Sequence, residues 1–439
     1  MLVSTKRQAL KVLGTAALAG VTGIGGRHAR AVPDLKYQPE KGANLKVLRW
    51  KSFVQAAEDQ FQLITRNFVE RSGINVTLEN VAIPDVPAKA ALAANVGGAY
   101  DVAFGFYDTP RLYADKCLDV SDLAQYLGDK YGGWYDTCKR YCISDGRWIA
   151  LAAYFAAYCV VYRRSIVEAA GFADIPQDPA GFLKLCKALK GRGVPSGLAL
   201  GNATGDATTW CHWLIWAHGG KLVNEKNEVV INSKETLTAL DYARELYATF
   251  VPGTLSWLDP NNNKAFTGGG ISLTYNPISI YYVLKTSPDP ALKALAADTY
   301  HAHLPIGPVG RPTEMAAFIN CWVFKHTKYP NAAREYLRFL FEHEQYEPWQ
   351  RASIGQMTQT LKAYEANPLW SEDPKYTAFR DGPKLSLYSG YAGRLGVASS
   401  ACREDFVLVN MVAEAASGQA TPQAAAARAE QRARRYYRA

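Results

Sequence analysis

The sequence predicts an α/β protein with a largely parallel sheet. Short apolar runs alternate with amphipathic helical patterns from residue 45 onward, which is the arrangement of successive β-α-β units. The run YDVAFGF (100–106) is mostly apolar without polar alternation, as expected for a strand covered on both faces. The 439 residues, 48% hydrophobic and 20% charged, are enough for two or three domains.

The elements follow in a regular order through the first 200 residues. LKVLRW (45–50) predicts a strand, and the helix after it places Phe61, Ile64 and Phe68 on one face before Gly73 ends it. The next predicted elements are a strand at INVTLENVAI (74–83), a helix at PAKAALAANVGG (87–98), the strand at 100–106, two apolar strands joined by an extended segment within 146–172, and a helix from Arg164 to Gly171.

Capping residues mark the later helices. Asp178 with Pro179 begins one helix, and Ser233 begins the next. The remaining predicted elements are a strand at GLALGN (197–202) and a strand preceded by a glycine turn in AFTGGGISLTYNP (265–277). After them come a strand, a turn at Tyr329-Pro330 and one long helix within 313–349, and a C-terminal helix that Thr421-Pro422 opens. TTWCHWLIWAHGG (208–220) predicts a helix with three tryptophans on one face.

The first 31 residues predict an export signal. A basic start, a weakly apolar Gly/Ala-rich run and a small-x-small site at Ala29-Arg30-Ala31 succeed one another. The pattern resembles a twin-arginine signal with Lys6 in the place of the first arginine, so both export routes stay open. No later segment reaches about 18 uncharged apolar residues. We therefore expect a periplasmic mature chain that begins near Val32.

Charge argues against nucleic acid as a partner. The formal net charge is +9, and residues 1–31 hold five basic residues and no acids, so the rest of the chain carries +4. Apart from the C-terminal end, which fits the last turns of a helix, no basic cluster with interleaved aromatic residues stands out there.

Residue patterns of common enzyme and metal sites are missing from the sequence. It has no GxSxG, HExxH, Walker or CxxC motif, and His301 and His303 fit a hinge flank better than a metal site, so we expect neither enzyme activity nor a metal or cofactor. A glycoside hydrolase needs only a carboxylate pair, which spacing leaves open. The eight cysteines permit disulfides; Cys138 and Cys142 could pair with each other, or either with Cys117.

Several segments resemble, in order, the family 1 extracellular solute-binding proteins, the periplasmic receptors of carbohydrate-type ABC importers. They are GINVTLENVAIPDVPAKAALAANVGGAYDVAFGFYD, AAYFAAYCVVYRRSIVEAAGF, GKLVNEKNEVVINSKETLTALDYARELY, NNNKAFTGGGISLTYNP and LPIGPVGRPTEMAAFINCWVFKHTKYPNAAREYLRFL. Tyr100 stands where the family usually has a proline. The resemblance is collinear over roughly residues 45–420.

The resemblance implies a two-lobed periplasmic binding protein fold of type II, in which two α/β lobes close over a solute by hinge bending. It implies lobe 1 at residues 45–153 plus 306–355 and lobe 2 at 154–302 plus 356–439. The three chain crossings would lie near residues 153–155, 302–305 and 355–360. A monomer that delivers its solute to a membrane permease is also implied, with no cofactor.

The candidate ligand contacts are aromatic, carboxylate, amide and arginine side chains, which suit the C–H faces and hydroxyls of sugars. They are Trp50, Lys51, Phe53, Tyr107, Asp108, Tyr154, Asp206, Thr208, Trp210, Tyr275, Asn276, Arg394, Arg403 and Asp405. Asp108 matches an acidic ligand residue of maltodextrin-binding relatives, although it could instead cap the next helix. Trp210 is expected at the cleft, with Trp213 and Trp216 in the core.

The expected solute is a sugar, an oligosaccharide or a polyol. The 26 tyrosines and 10 tryptophans favour neutral sugars, because aromatic faces pack against their C–H surfaces. A phosphorylated polyol or a glycerophosphodiester stays open as an alternative and would need a cluster of basic or N–H groups.

Overall fold

Residues 35–438 are described by a computed structural model, and the predicted export signal lies outside them. The strands are β1 (Asn44–Trp50), β2 (Asn75–Val81), β3 (Val102–Phe106), β4 (Ile143–Ser144), β5 (Arg147–Trp148), β6 (Leu151–Ala156), β7 (Cys159–Arg163), β8 (Leu273–Asn276), β9 (Thr299–Ala302) and β10 (Ala317–Val323).

The helices surround the strands along the whole described chain. They are α1 (Gln55–Ser72), α2 (Asp85–Val96), α3 (Ser121–Lys130), α4 (Asp136–Cys142), α5 (Arg164–Ala169), α6 (Pro179–Gly191), α7 (Asp206–Ala217), α8 (Lys234–Tyr247), α9 (Asn261–Thr267), α10 (Ser279–Thr286), α11 (Pro290–Asp298), α12 (Pro330–Phe341), α13 (His343–Ala352), α14 (Leu369–Glu372), α15 (Thr377–Arg380), α16 (Gly382–Leu385), α17 (Val397–Glu404), α18 (Val407–Ala416) and α19 (Pro422–Tyr436). Short 3₁₀ helices lie at Thr109–Lys116, Thr254–Ser256, Lys362–Ala366 and Pro374–Tyr376.

The larger sheet has the strand order β2-β1-β3-β10-β6. β1 pairs in parallel with β2 and β3, as the alternation of strands and helices predicts. β10 runs antiparallel to both β3 and β6, so the sheet is mixed. More than 200 residues separate β3 from β10 in the chain. A parallel pair is typical of two strands joined by one crossover helix, and β3 and β10 are not joined in that way.

The smaller sheet has the order β8-β7-β9 and is antiparallel throughout. The strand predicted at GLALGN (197–202) is wrong, because this segment forms no ladder. Its N–H groups bond to separate places: Gly197 donates to Leu273 O, and Leu200 donates to Thr254 O. A Cβ at Gly201 would lie 2.7 Å from the carbonyl oxygen of Trp257, so glycine permits the close approach of this loop.

The predicted helix ends are largely confirmed. Gly73 closes α1 with φ +69°, in the left-handed region that glycine adopts freely. The side chains of Asp178, Ser233 and Thr421 each accept a hydrogen bond from the N–H three residues later, as N-caps do. The single long helix predicted after Pro330 is wrong, since the chain divides into α12 and α13 at a residue with extended backbone.

All eight cysteines lie in the described chain as free, buried thiols, so the local pairing considered for Cys138 and Cys142 is not formed. Among the helices between residues 35 and 438, none is long and apolar enough to cross a bilayer. The three-stranded sheet lies in residues expected for lobe 2, and the five-stranded sheet lies in those expected for lobe 1, except that β1 begins at Asn44 and β6 runs to Ala156, past the expected boundary at residue 153. Helix α18 near the C-terminus packs on α7 and α8.

Candidate functional site

Two adjoining cavities lie where strands of both sheets end. The inner chamber, of about 20 Å³, is lined by Trp50 and Phe106 at the ends of β1 and β3, and by Asn276 at the end of β8. The outer groove, of about 510 Å³, includes Lys51 and Leu258. Residues common to both linings, such as Phe53 and Asp259, make the two spaces neighbours. The ends of strands are where open α/β sheets bind ligands.

The aromatic wall of the inner chamber comes from the five-stranded sheet. The Trp50 ring centroid lies 5.7 Å from that of Phe53 and 5.8 Å from that of Phe106. Tyr158 faces the same chamber from the segment between β6 and β7. Such rings offer faces to the C–H surface of a carbohydrate.

Two carboxylates line the chamber on the opposite side. Asp206 is the first residue of α7, and its Oδ1 atom accepts a hydrogen bond of 3.0 Å from the Tyr158 hydroxyl. Asp259 Oδ1 accepts hydrogen bonds from the backbone N–H groups of Gly205 at 3.0 Å and Asp206 at 2.8 Å. Both residues are buried, and Asp206 Oδ2 has no hydrogen-bond partner. A ligand donor is therefore the group that would satisfy this oxygen.

Burial raises the pKa of Asp206 well above its usual value, and the charge of Asp259 raises it further. Burial also raises the pKa of Asp259, against the opposing effect of the N–H groups of Asp206, Gly205 and Thr204. The lining residues of the inner chamber include no lysine, arginine or histidine. The chamber therefore holds two acids without a basic side chain among its walls.

Amide groups complete the chamber. Asn276 donates from Nδ2 to Pro277 O and to Ser279 Oγ, and its Oδ1 accepts a 3.1 Å bond from Asn262, so its amide already has protein partners. Gln356, also a lining residue, has an Oε1 atom without a partner. Together with Asp206, this gives the chamber two buried acceptors whose bonds the protein does not supply.

Asp108 and Arg403 are brought together, but against each other and not in the chamber. Arg403 Nε donates to Asp108 Oδ1 at 2.9 Å, and Ser399 Oγ donates to Asp108 Oδ2 at 3.0 Å. The Arg403 side chain is 3% exposed, and the Asp108 side chain is 0% exposed. The Asp108 side chain makes no capping bond to the 3₁₀ helix after it, so the capping alternative is wrong. Tyr107 is buried beside this pair and donates to Thr204 O at 3.2 Å.

Trp210 and Thr208 lie inside the protein. Trp210 is 1% exposed, and its Nε1 donates to Ala199 O at 2.6 Å while its ring meets Phe250. The expectation that it faces the cleft is not met, because every residue of α7 is buried and the helix packs against α8, α18 and β8. Thr208 donates to Ala203 O and lines a separate cavity of about 10 Å³.

The other predicted contacts are dispersed. Tyr154 packs edge-on against Trp349, with ring centroids 5.7 Å apart. Tyr275 lies beside Tyr158, and its hydroxyl is buried without a partner. Arg394 lines a surface groove far along the chain from the strand ends, and Asp405 forms an ion pair with Arg432.

Of the predicted contacts, four line the inner chamber: Trp50, Phe53, Asp206 and Asn276. Two line the outer groove: Lys51 and Phe53. Sequence reasoning missed Tyr158, Asp259, Phe106 and Gln356. Parity along the chain does not mark Tyr158, since Tyr154, four residues earlier, packs against Trp349 and not in the chamber. Asp259 sits in a Pro/Asn-rich loop that carries no periodic signal. Within residues 35–438, no group of three or more His, Cys, Asp or Glu is arranged to hold a metal ion.

Comparison with known proteins places the chain among binding proteins. The family of bacterial extracellular solute-binding proteins matches residues 64–378. Among curated proteins, none matches.

Solved structures of receptors share the fold over nearly their whole length. The GacH receptor of Streptomyces glaucescens, solved unliganded and with acarbose, is 16% identical with a TM-score of 0.75, over 91% of this chain and 99% of its own. Maltose-bound MalE3 of T. maritima is 17% identical with a TM-score of 0.77, over 89% and 99%. A ribitol complex of an ABC transporter solute-binding protein from Agrobacterium radiobacter K84 is 14% identical with a TM-score of 0.75, over 91% and 100%. The architecture is thus the two-lobed α/β fold of these receptors.

Proposed function

This chain belongs to the bacterial extracellular solute-binding protein family, and we propose that it is the periplasmic substrate-binding component of an ABC importer. In this proposal it captures a sugar, an oligosaccharide or a polyol and delivers it, unaltered, to the membrane permease. The relatives in complex with acarbose, maltose and ribitol support that class of solute.

The observation that supports this function best is the composition of the inner chamber. Aromatic rings of Trp50 and Phe106 line it together with Asp206 and Gln356, whose unpartnered oxygens are buried. Rings suit the C–H faces of a carbohydrate, and buried acceptors suit its hydroxyl donors. An epimer that left one of these acceptors unpaired would lose about 1–3 kcal/mol, which is a basis for selection.

Capture is proposed to occur by closure of lobe 1 and lobe 2 about the three crossings. Two of the crossing segments are bonded to each other: Phe155 N donates to Thr358 O at 2.9 Å, and Thr358 N donates to Phe155 O at 2.7 Å. Paired strands at a crossing allow rotation while keeping the lobes in register. A ligand that contacts both lobes only when they are closed stabilises the closed state by that difference in affinity.

Charge disfavours a phosphorylated polyol at this site. Among the described residues, Asp206 and Asp259 line the inner chamber, which has no basic lining residue, and Lys51 is the one basic side chain that lines the outer groove. A phosphate group in the chamber would lack the basic residues that normally bind it, and the N–H groups of Gly205 and Asp206 already bond to Asp259. We therefore place phosphate esters second to neutral and hydroxyl-rich solutes.

A thermal-shift screen of the mature protein over sugars, polyols and phosphate esters tests the function. A solute that binds only the folded protein raises the melting temperature by mass action. Calorimetry should then show one stoichiometric event, and chromatography of the recovered solute should show it unchanged. A hydrolysed product would instead favour the glycosidase alternative, for which Asp206 and Asp259 are the carboxylates at hand. A panel in which no carbohydrate or polyol binds contradicts the proposal.

A further inference from the structure

The inner chamber holds two buried acids and no basic side chain among its lining residues, which a neutral sugar does not explain. Two acids, Asp206 and Asp259, line it, and neither forms an ion pair among the described residues. By contrast, other deeply buried acids in the same structure have cations: Glu58 pairs with Arg49, and Asp108 pairs with Arg403. A buried acid either pairs with a cation or keeps its proton, and the raised pKa of Asp206 shows the second behaviour in the absence of a cation.

The unsatisfied atom within the chamber is specific. Asp206 is 2% exposed, one of its oxygens accepts from Tyr158, and the other has no partner. One oxygen of Asp259 accepts hydrogen bonds from two backbone N–H groups at the start of α7. No basic donor of the described chain reaches the unpartnered oxygen of Asp206, and a positively charged donor from a ligand could displace the proton of Asp206 and bond to it.

Size and aromatic content favour a small cation. The chamber has about 20 Å³, enough for a group of the size of a water molecule, which an ammonium group is. Its rings, including those of Trp50 and Tyr158, offer the negative faces that attract a cation. The adjoining outer groove of about 510 Å³ has room for the rest of a monosaccharide or polyol.

We propose that the solute carries a protonated amine, as an amino sugar or an amino polyol does, and that its ammonium group binds between Asp206 and Asp259. The inference rests on the proposed function, since it specifies the class of sugar or polyol that this site takes. The hydroxyl groups and the C–H face of the same solute lie along the groove and the aromatic wall.

Binding of a cation has a proton signature. Around Asp206 the titratable groups are Asp259, Tyr158, Tyr107 and Tyr275, and burial raises the pKa of each of these tyrosines well above its usual value, so they stay neutral. Arg403, over the Tyr107 ring, is already paired with Asp108. An ammonium ligand lowers the raised pKa of Asp206, so binding releases protons and strengthens as pH rises. A hydroxyl group in the same place carries no charge, so its binding does not release protons in this way.

Matched pairs that differ only in amine against hydroxyl test this inference. We would titrate the mature protein with glucosamine and glucose, glucamine and glucitol, and inosamine and inositol, with N-acetylglucosamine as an uncharged amide. Calorimetry in buffers of different ionisation enthalpy, between about pH 5.5 and 7, counts the protons released. In at least one pair the amine should bind at least tenfold more tightly than its hydroxyl counterpart, with proton release.

Asp206→Asn keeps the shape of the side chain and removes its charge. The tenfold preference for the amine over its hydroxyl counterpart should disappear in this variant, whatever the change in affinity that both members share. Asp241→Asn, which removes one charge from the exposed side of α8, is the matched control and should keep the preference. Circular dichroism and the melting temperature of each variant confirm folding.

The outcomes separate this inference from the proposed function. Tight binding of a hydroxyl member with no gain from the amine overturns the ammonium inference and leaves the proposed function standing. Retention of the amine preference in Asp206→Asn also overturns it. Failure of every member of every pair, together with failure of the wider sugar and polyol panel, counts against both.

Discussion

At the scale of single residues, Trp50 and Trp210 differ in what surrounds them. Trp50 ends β1 and lines the inner chamber, whereas Trp210 is enclosed by its helix and the neighbouring core. In the sequence, both tryptophans have apolar residues within a few positions on either side. The distinction depends on which strand ends and helices meet in three dimensions, and one-dimensional periodicity does not contain that information.

Trp50→Ala should weaken solute binding at least tenfold, about 1.4 kcal/mol, because it removes a ring from the chamber wall. Titration calorimetry with the solute identified in the screen measures the change. Trp148→Ala is the control, since Trp148 is half-buried and packs against Trp134 away from the chamber, whereas Trp50 is buried. Equal affinity in wild type and Trp50→Ala would exclude Trp50 from the binding site.

Trp210→Ala should chiefly destabilise the fold, by about 3–5 kcal/mol, since it leaves a large cavity and an unpaired Ala199 carbonyl. The sequence alone predicts the opposite balance, with at least tenfold weaker binding and little loss of fold. Urea unfolding followed by fluorescence measures the free energy of unfolding. A variant as stable as wild type, with weakened binding, would restore the sequence-based interpretation.

At the scale of elements, most helices and strands could be predicted from the sequence, because apolar periodicity and capping residues are local signals. GLALGN failed since its glycines serve a close approach to the loop at Trp257, a contact about 60 residues away in the chain. The break between α12 and α13 was missed for a similar reason. Glu342, at the break, accepts hydrogen bonds from Tyr126, Lys130 and Arg338, two of which are on α3.

The hydrogen bonds of Glu342 predict an acid-dependent stability. Burial alone would raise its pKa, but bonds from Tyr131, Lys130 and Tyr126 outweigh that effect and hold the pKa below its usual value. A carboxylate whose folded pKa is lowered stabilises the fold above its unfolded pKa, and this contribution is lost as pH falls through the folded value.

Glu342→Gln should therefore lower the free energy of unfolding by about 1.5–3 kcal/mol near pH 7, with a difference that shrinks as the solution is acidified. Guanidinium unfolding of both proteins at pH 7 and at successively lower pH measures this difference in the free energy of unfolding. Glu344→Gln, on the exposed first turn of α13, should show no comparable loss. A difference in the free energy of unfolding between Glu342→Gln and wild type that stays constant with pH would contradict a stabilising role for the ionised Glu342 carboxylate.

At the scale of the whole molecule, the buried Asp108–Arg403 pair joins residues assigned to different lobes. Asp108 follows β3 of the larger sheet, while Arg403 lies on α17, next to the helices that pack on α8. Thr109 Oγ1 also donates to Glu404 Oε1 at 2.6 Å across the same contact. These bonds can exist only while the two regions are together.

Arg403→Met should open the ligand-free protein, because Asp108 is then left buried without its cation, at a cost of about 3–5 kcal/mol. Small-angle X-ray scattering should show a larger radius of gyration, and solute affinity should fall. Adding Asp108→Leu to Arg403→Met removes the stranded charge and should recover much of the loss. Unchanged scattering and stability in Arg403→Met would show that the pair does not hold the lobes together.

The eight thiols of the described chain are all buried and none is cross-linked. Folding of the described chain therefore needs no oxidant and no disulfide isomerase, and its native state is equally accessible under reducing and oxidising conditions.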